Sequence, residues 1–307
     1  MSYSLYLLHN SVLTKITKDL FVNKDQLFAL AQRITPQKTL SRLIGYLAAS
    51  EQEWIKNLFI EKFIDKYDVD MQQAIESDPR SYRSFNDFFT RAIKPELRPI
   101  VDKKGSIACP ADGAVSQIGN IEHGTLLQAK GHSYSLTTLL GGDASLATQF
   151  LGGKFATIYL SPKDYHRVHM PLTGKLTKMI HVPGKLFSVN KVTAEQIPNV
   201  FARNERTVCL FETEVGPMAV ILVGAMIVAS IETVWAGQVT PITDQVITWD
   251  YAKLNDITLE KGDEMGRFKL GSTAIVLFGE NVMEWANELE ADSPTTMGMQ
   301  LGSIKKK

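Results

Sequence analysis

The stretch from residue 218 to residue 231, MAVILVGAMIVASI, decides how the rest of the chain is read. It is fourteen residues long and is interrupted by Gly224 and Ser230. A membrane-spanning helix needs about 20 apolar residues, so this run reads as buried β-strand. The segments around it have the same texture. Phe155–Leu160, Leu176–His181, Thr207–Glu212, Met218–Val223, Ile227–Val234 and Val246–Trp249 are all strand candidates. Ile257–Leu259 and Phe268–Phe278 are expected to form a hairpin around the turn Lys261-Gly262-Asp263-Glu264. Val282–Leu289 is expected to be one closing helix, and the polar tail Ser293–Lys307 a solvated terminus.

Before residue 100 the pattern is helical. Leu40, Leu43, Ile44 and Leu47 fall at helix spacing, as do Trp54, Ile55, Leu58, Phe59 and Phe63. Residues 1–50 carry six basic side chains (Lys15, Lys18, Lys24, Arg33, Lys38, Arg42) against Asp19 and Asp25. Basic amphipathic helices can lie in a bilayer interface, where apolar burial and attraction to anionic lipid add together. A helical hairpin packed on its own domain is the plainer alternative. Ser81–Pro99 reads as a short helix running into an arginine- and proline-bearing linker. The expected fold class is α+β: N-terminal amphipathic helices, then a mostly antiparallel β-rich catalytic domain. The boundary is expected near residue 65, giving a helical docking arm over 1–65 and a catalytic domain over 66–307.

Composition narrows the function classes. The 307 residues are 44% hydrophobic with a formal net charge of zero, which argues against nucleic-acid binding as the main task. Cys109 and Cys209 are the only cysteines, so a disulfide framework is excluded and both read as small core residues. The N-terminus lacks the basic start of a secretory signal. No transmembrane helix is visible, so any membrane contact is expected to be peripheral.

Three short motifs carry chemistry. Pro110-Ala111-Asp112-Gly113 places an aspartate before glycine, as a turn former or a catalyst. Tyr165-His166-Arg167-Val168-His169-Met170-Pro171 puts two histidines three apart, where a strand gives way to a loop. Metal binding is the obvious alternative, but the His-Glu-x-x-His form is missing and no cysteine stands at ligand spacing. Lys269-Leu270-Gly271-Ser272-Thr273 leads into an apolar strand; it is neither a nucleophile elbow nor a phosphate loop. Asp112, His169 and Ser272 together are the residue types that activate a hydroxyl. On the residues alone, a serine hydrolase that leaves its own chain whole stays open. So does a non-enzymatic biotinyl- or lipoyl-like carrier module built on GQVTP and GDEMGRF, with Lys261 at its tip.

These motifs, in this order, occur with FNDFFTRAIKPELRPI (85–100), KGHSYSL (130–136), FSVN (187–190), NVFARNER (199–206), GAMIVASIETVWAG (224–237) and GDEMGRFKLGST (262–273). Together they resemble the bacterial phosphatidylserine decarboxylase family over about residues 35–290. The resemblance implies a proenzyme that cleaves itself between Gly271 and Ser272, into a long chain 1–271 and a short chain 272–307. Ser272 would become a covalent pyruvoyl group (pyruvate as cofactor), with Asp112 and His169 as its partners in processing. His166 matches the histidine linked to decarboxylation. The implied reaction runs through a Schiff base between pyruvoyl and phosphatidylserine and yields phosphatidylethanolamine, a step of phospholipid biosynthesis. The implied partners are phosphatidylserine, an anionic membrane surface on the cytoplasmic side of the cell membrane, and the two cleavage chains as a heterodimer open to further dimerisation. No metal and no nucleic acid are implied; a metal-dependent decarboxylase using His166 and His169 is a rival. With a lipid substrate, the basic arm around residues 10–65 becomes the expected docking surface. His132 and Tyr134 are candidates for holding the substrate's phosphate and carboxylate only by their placement, with a structural role as the alternative.

Overall fold

A computed structural model describes residues 24–129, 131–226, 230–240, 243–253, 256–269 and 271–305. Lys15, Lys18 and Asp19 of the expected basic arm, the N-terminal residues read for a secretory signal, Lys130 of KGHSYSL, Leu270 and the last two lysines lie outside the described residues.

Three helices open the described chain: α1 (Lys24–Ile34), α2 (Gln37–Ala48) and α3 (Glu53–Tyr67). A short α4 (Phe85–Phe89) follows, capped by Ser84, whose hydroxyl accepts from the amide of Asp87 at 3.2 Å. Within Ser81–Pro99, the helix is therefore confined to this one turn. Phe63 of α3 meets Phe85, Phe88 and Phe89 edge-on, with centroids 5.1, 6.0 and 5.7 Å apart. Edge-to-face pairs add about 0.5–1.5 kcal/mol each beyond their area burial, so this knot fixes α4 against α3. The same cluster takes in Ala48, Ile60 and Val69, and packing is continuous across residue 65. Glutamines tie the first two helices to the β-rich part. Gln32 Oε1 accepts from the Ser188 amide at 2.7 Å, and Gln37 Oε1 from the Leu186 amide at 2.8 Å.

Among the described residues the main sheet has nine antiparallel strands. Its order is Ile247–Asp250, Gly174–Val182, Arg206–Thr213, Gly216–Gly224, Ser272–Phe278, Lys154–Leu160, Gly113–Asn120 and Pro294–Thr295, with Thr258–Leu259 also paired to Gly174–Val182. Ser272–Phe278 is central and buried at every position. Its side chains alternate with period two. Ala274, Val276 and Phe278 enter one core, while Ile275 and Leu277 enter the other. By that alternation Ser272 faces the first core, with Leu160, Val168, Met170 and Phe268. A second sheet runs Gly237–Gln238, Ser230–Thr233, Glu264–Lys269 and Arg167–His169. A third joins Ser106–Ala108, Gln300–Ile304 and Met283–Trp285.

The α+β expectation holds, but several elements differ from it. The run 218–231 serves two strands in two sheets, Gly216–Gly224 and Ser230–Thr233; residues 227–229 lie outside the described residues. The expected hairpin does not form. Thr258–Leu259 pairs with Lys175 and Gly174, and Glu264–Lys269 pairs with Ser230–Thr233 and Arg167–His169. Phe268–Phe278 is accordingly two strands, because the chain passes from the small sheet to the large one at Gly271, where φ is +52°. Val282–Leu289 is not a helix: Met283–Trp285 is a strand against Gln300–Ile304, with Met283 buried and Glu284 turned out to Lys154 and Lys305. The tail is not a solvated terminus either. Thr295, Met297 and Leu301 are buried, because sheet positions that need partners take them in. Both cysteines are core residues, and burial pushes the Cys109 thiol up to about 12.

Candidate active site

Two crossings between the large and second sheets converge at one place. The chain leaves the large sheet at Leu160 and enters the second at Arg167; it returns through Gly271 into Ser272. Ser272 sits between Leu160 and Gly224 in register. The amide of Phe268 donates to His166 O at 3.0 Å, and that of His169 to Pro110 O at 2.8 Å. Asp112 is brought in by Gly113, whose φ is +147° and where a Cβ would lie 2.1 Å from Tyr159 O. Only glycine allows that approach.

Ser272 is 1% exposed and its Oγ has no hydrogen-bond partner among the described residues. An unpaired buried hydroxyl costs about 1–3 kcal/mol, so this residue is held against its own solvation preference. Next to it, the space where a Cβ of Gly271 would sit is open.

The two histidines have defined tautomers. His169 Nδ1–H donates to Gly262 O at 2.8 Å, which leaves Nε2 to accept from the Tyr165 hydroxyl at 3.0 Å. Burial lowers its pKa, while Glu264 and Asp112 pull the other way. His166 Nδ1–H donates to Asp164 O at 2.8 Å, and Nε2 is buried with no hydrogen-bond partner among the described residues. The ring is fully buried, with the Phe89 ring 4.0 Å away. Burial, seconded by the charge of Arg91, pushes its pKa down to about 3. Both are therefore neutral bases at pH 7.

Asp112 is positioned differently from the sequence reading. Its carboxylate accepts from Arg98, with Nε at 2.9 and 3.0 Å and Nη2 at 2.5 Å, and from the Met297 amide at 2.8 Å. It acts on His169 through space, while the bond that orients that imidazole comes from Gly262. Arg98, Tyr165 and Phe89 are site neighbours that residue-type reasoning missed. Each lies inside a quoted block, yet nothing in the local pattern separates it from a core or surface residue. Tyr134 belongs to the opposite core, beside Phe201, and its neighbour His132 sits on the small ribbon Thr125–Ala129/His132–Ser135. The structure does not bring either to Ser272. Lys261 Nζ is engaged by Val101 O at 2.8 Å and Ser106 Oγ at 3.2 Å, which does not suit a carrier lysine. Among the described residues no group of three or more His, Cys, Asp or Glu side chains could hold a metal ion.

The family model for phosphatidylserine decarboxylase matches residues 85–303, and a second model, described as PSD, matches 27–68. The chain is 58% identical over 282 residues to the phosphatidylserine decarboxylase proenzyme of Pseudomonas putida, covering 91% of this chain and 98% of that one. Against the proenzyme of the same name from Bordetella pertussis it is 59% identical over 280 residues, 91% of this chain and 94% of the other. The Pseudomonas fluorescens proenzyme is 58% identical over 284 residues, 92% and 99%. The chain belongs to the phosphatidylserine decarboxylase family and is an enzyme of the carboxy-lyase class.

Proposed function

We propose that the chain cuts itself between Gly271 and Ser272, and that the two-chain product decarboxylates phosphatidylserine to phosphatidylethanolamine at a membrane surface. The observation that carries this reading is the buried, unpartnered hydroxyl of Ser272 directly after Gly271. A serine hydrolase needs its nucleophile open to an incoming substrate; this one is buried, and the carbonyl that precedes it in the chain is that of Gly271.

In the first stage Ser272 Oγ attacks the Gly271 carbonyl carbon, the C–N bond breaks, and the amide becomes an ester with a free amine on residue 272. His169 takes the hydroxyl proton at Nε2, the atom now occupied by Tyr165. Asp112 stabilises the imidazolium from a distance. Removal of the Cα proton of residue 272 then expels the Gly271 carboxylate and leaves dehydroalanine. Water replaces its nitrogen, and ammonia departs.

The site residues fit the pyruvoyl group that results, since Ser272 needs no partner to release and the Gly271 side is open. That group supplies a carbonyl that accepts the substrate amine and the electrons left when carbon dioxide departs. His166 handles the remaining proton. The substrate's amine arrives as an ammonium, and the neutral Nε2 takes the proton it must shed before it can attack. It returns the proton to the carbon that has lost carbon dioxide.

The N-terminal helices suit a lipid substrate. Leu27, Leu30, Ile34, Leu43, Tyr46 and Trp54 are all exposed on α1–α3. Concentrated exposed apolar surface marks an interaction site. We assign it to the membrane interface, reached peripherally from the cytoplasmic side; no described helix is long and apolar enough to cross a membrane.

Denaturing mass spectrometry of active protein tests the reading. The expected result is two chains, the short one spanning 272–307 and beginning with a ketone that reacts with hydrazides. Fully active protein that is a single intact chain would refute it.

A further inference from the structure

One cation near the site has no task in the scheme above. Arg91 follows α4 and is 4% exposed. Its Nη2 donates to Lys163 O at 2.9 Å, in the loop that carries His166. Nε and Nη1 are buried without a hydrogen-bond partner among the described residues. The Phe88 ring lies 5.3 Å from Cζ, and Phe89, next in sequence, stacks on His166.

The other guanidinium groups around the site are neutralised. Arg98 is paired to Asp112, and Arg167 and Arg267 to Glu264. Asp112 and Asp164 act on Arg91 through space, but among the described residues neither is ion-paired with it. Asp164 Oδ2 is taken by the Ser161 amide at 2.6 Å. A guanidinium stays charged and carries five N–H donors, so burying it with two idle donors and, among the described residues, no ion-paired carboxylate is unfavourable until an anion arrives.

We propose that Arg91 is the headgroup-binding residue, its idle Nε–H and Nη1–H receiving the phosphodiester of the lipid substrate beside His166. The proposal rests on the decarboxylase reading above. The substrate offers two anions, and the chemistry selects between them. A guanidinium on the carboxylate would stabilise the charge that must leave as carbon dioxide, which lowers the ground state and opposes the reaction. The phosphodiester keeps its charge from start to finish, so holding it anchors the substrate without that penalty.

The test compares Arg91→Met and Arg91→Lys with the unsubstituted protein, all in the mature form and with chain cleavage scored first by mass spectrometry. Calorimetry measures binding of glycerophosphoethanolamine and of ethanolamine. Kinetics measures kcat/KM for glycerophosphoserine and for O-methylserine, which lacks the phosphate. Arg91→Met is expected to weaken glycerophosphoethanolamine binding roughly 10- to 100-fold, the range for losing hydrogen bonds to a charged group. The ratio of kcat/KM for glycerophosphoserine over O-methylserine should fall by a similar factor. Arg91→Lys keeps the charge without the fork and covers the case in which the methionine variant does not fold; its ratio should fall in the same direction. Equal losses on both substrates, or an unchanged ratio, would overturn the proposal by giving Arg91 a purely structural role. If the unsubstituted protein neither cleaves nor turns over either compound, the decarboxylase reading itself falls, and the role of Arg91 with it.

Discussion

Phe89 and His166 stack with ring centroids 4.0 Å apart and planes inclined by 42°. The pair ties the helical part of the molecule to the site, because Phe89 also packs on Phe63 of α3. Phe89→Ala should cost about 3–5 kcal/mol, the range for truncating a buried phenylalanine. It should also let water reach His166 and raise its pKa from about 3 toward the ordinary 6.5. Urea denaturation and an NMR titration of the ring report the two effects. A variant with an unmoved titration would show that the stacked ring does not keep water from the imidazole.

Ser272→Ala should leave the chain intact and abolish decarboxylation. Its stability is the more revealing readout. Because Oγ has no partner, removing it takes away a desolvated hydroxyl and no hydrogen bond. The expected change is between zero and about 1 kcal/mol of stabilisation by urea titration. A loss of several kcal/mol would mean that the hydroxyl is satisfied in solution.

The two histidines should separate the two stages. His169→Ala is expected to slow self-cleavage by about 100-fold or more, the usual contribution of a positioned base. His166→Ala is expected to cleave yet decarboxylate at least about 100-fold more slowly. Gel and mass analysis follow the first stage, and carbon dioxide release the second. A His166→Ala protein that decarboxylates at the normal rate would remove that residue from the chemistry.

What could be read from the sequence depended on whether a signal was local. The strands Lys154–Leu160, Gly174–Val182 and Arg206–Thr213 carry β-branched and aromatic runs, and they stand within a residue or two of the expected limits. Met283–Trp285 and Gln300–Ile304 stabilise each other as sheet partners, a long-range pairing that leaves no periodicity in either segment. Gly271 breaks one apolar run into two strands, which appears only when each half is seen to have its own sheet. At the site, Asp112, His166, His169 and Ser272 were legible as residue types in motifs. The bond from Arg98 to Asp112 and the choice of Gly262 as the partner of His169 depend on tertiary contacts alone.

Membrane docking is better tested by surface substitution than by deleting residues 1–50. Deletion would also remove Ala29, a member of the main core, and Gln32 and Gln37, which hold backbone amides of the β-rich part. Ile34→Ser, Leu43→Ser and Trp54→Ser change exposed positions only. Each side chain, if buried in lipid, contributes about 1.5–3 kcal/mol. The triple variant should therefore partition to anionic liposomes at least about 100-fold more weakly in flotation, while still cleaving. Unchanged flotation would move the docking surface elsewhere.

Acid stability should report the buried histidines. His166 in the folded protein has its pKa pushed to about 3, below the ordinary 6.5 of the unfolded chain. Between those values the unfolded state binds a proton that the folded state refuses. The stability is fully present above pH 6.5 and is lost as pH falls toward 3, with a slope of up to about 1.4 kcal/mol per pH unit. His169 is shifted in the same direction and steepens the loss. Asp164, raised by burial, works the opposite way, because the folded state holds its proton more tightly over a range that starts at the ordinary carboxylate value and overlaps the histidine window. Urea titrations between pH 7 and 5 are compared for the parent and a His166 variant, so that the part due to Asp164 is common to both. His166→Gln should flatten the slope by about one proton. A variant as acid-sensitive as the parent would mean that the His166 ring already takes up its proton in the folded protein, and with it the neutral base assigned to the second stage would be lost.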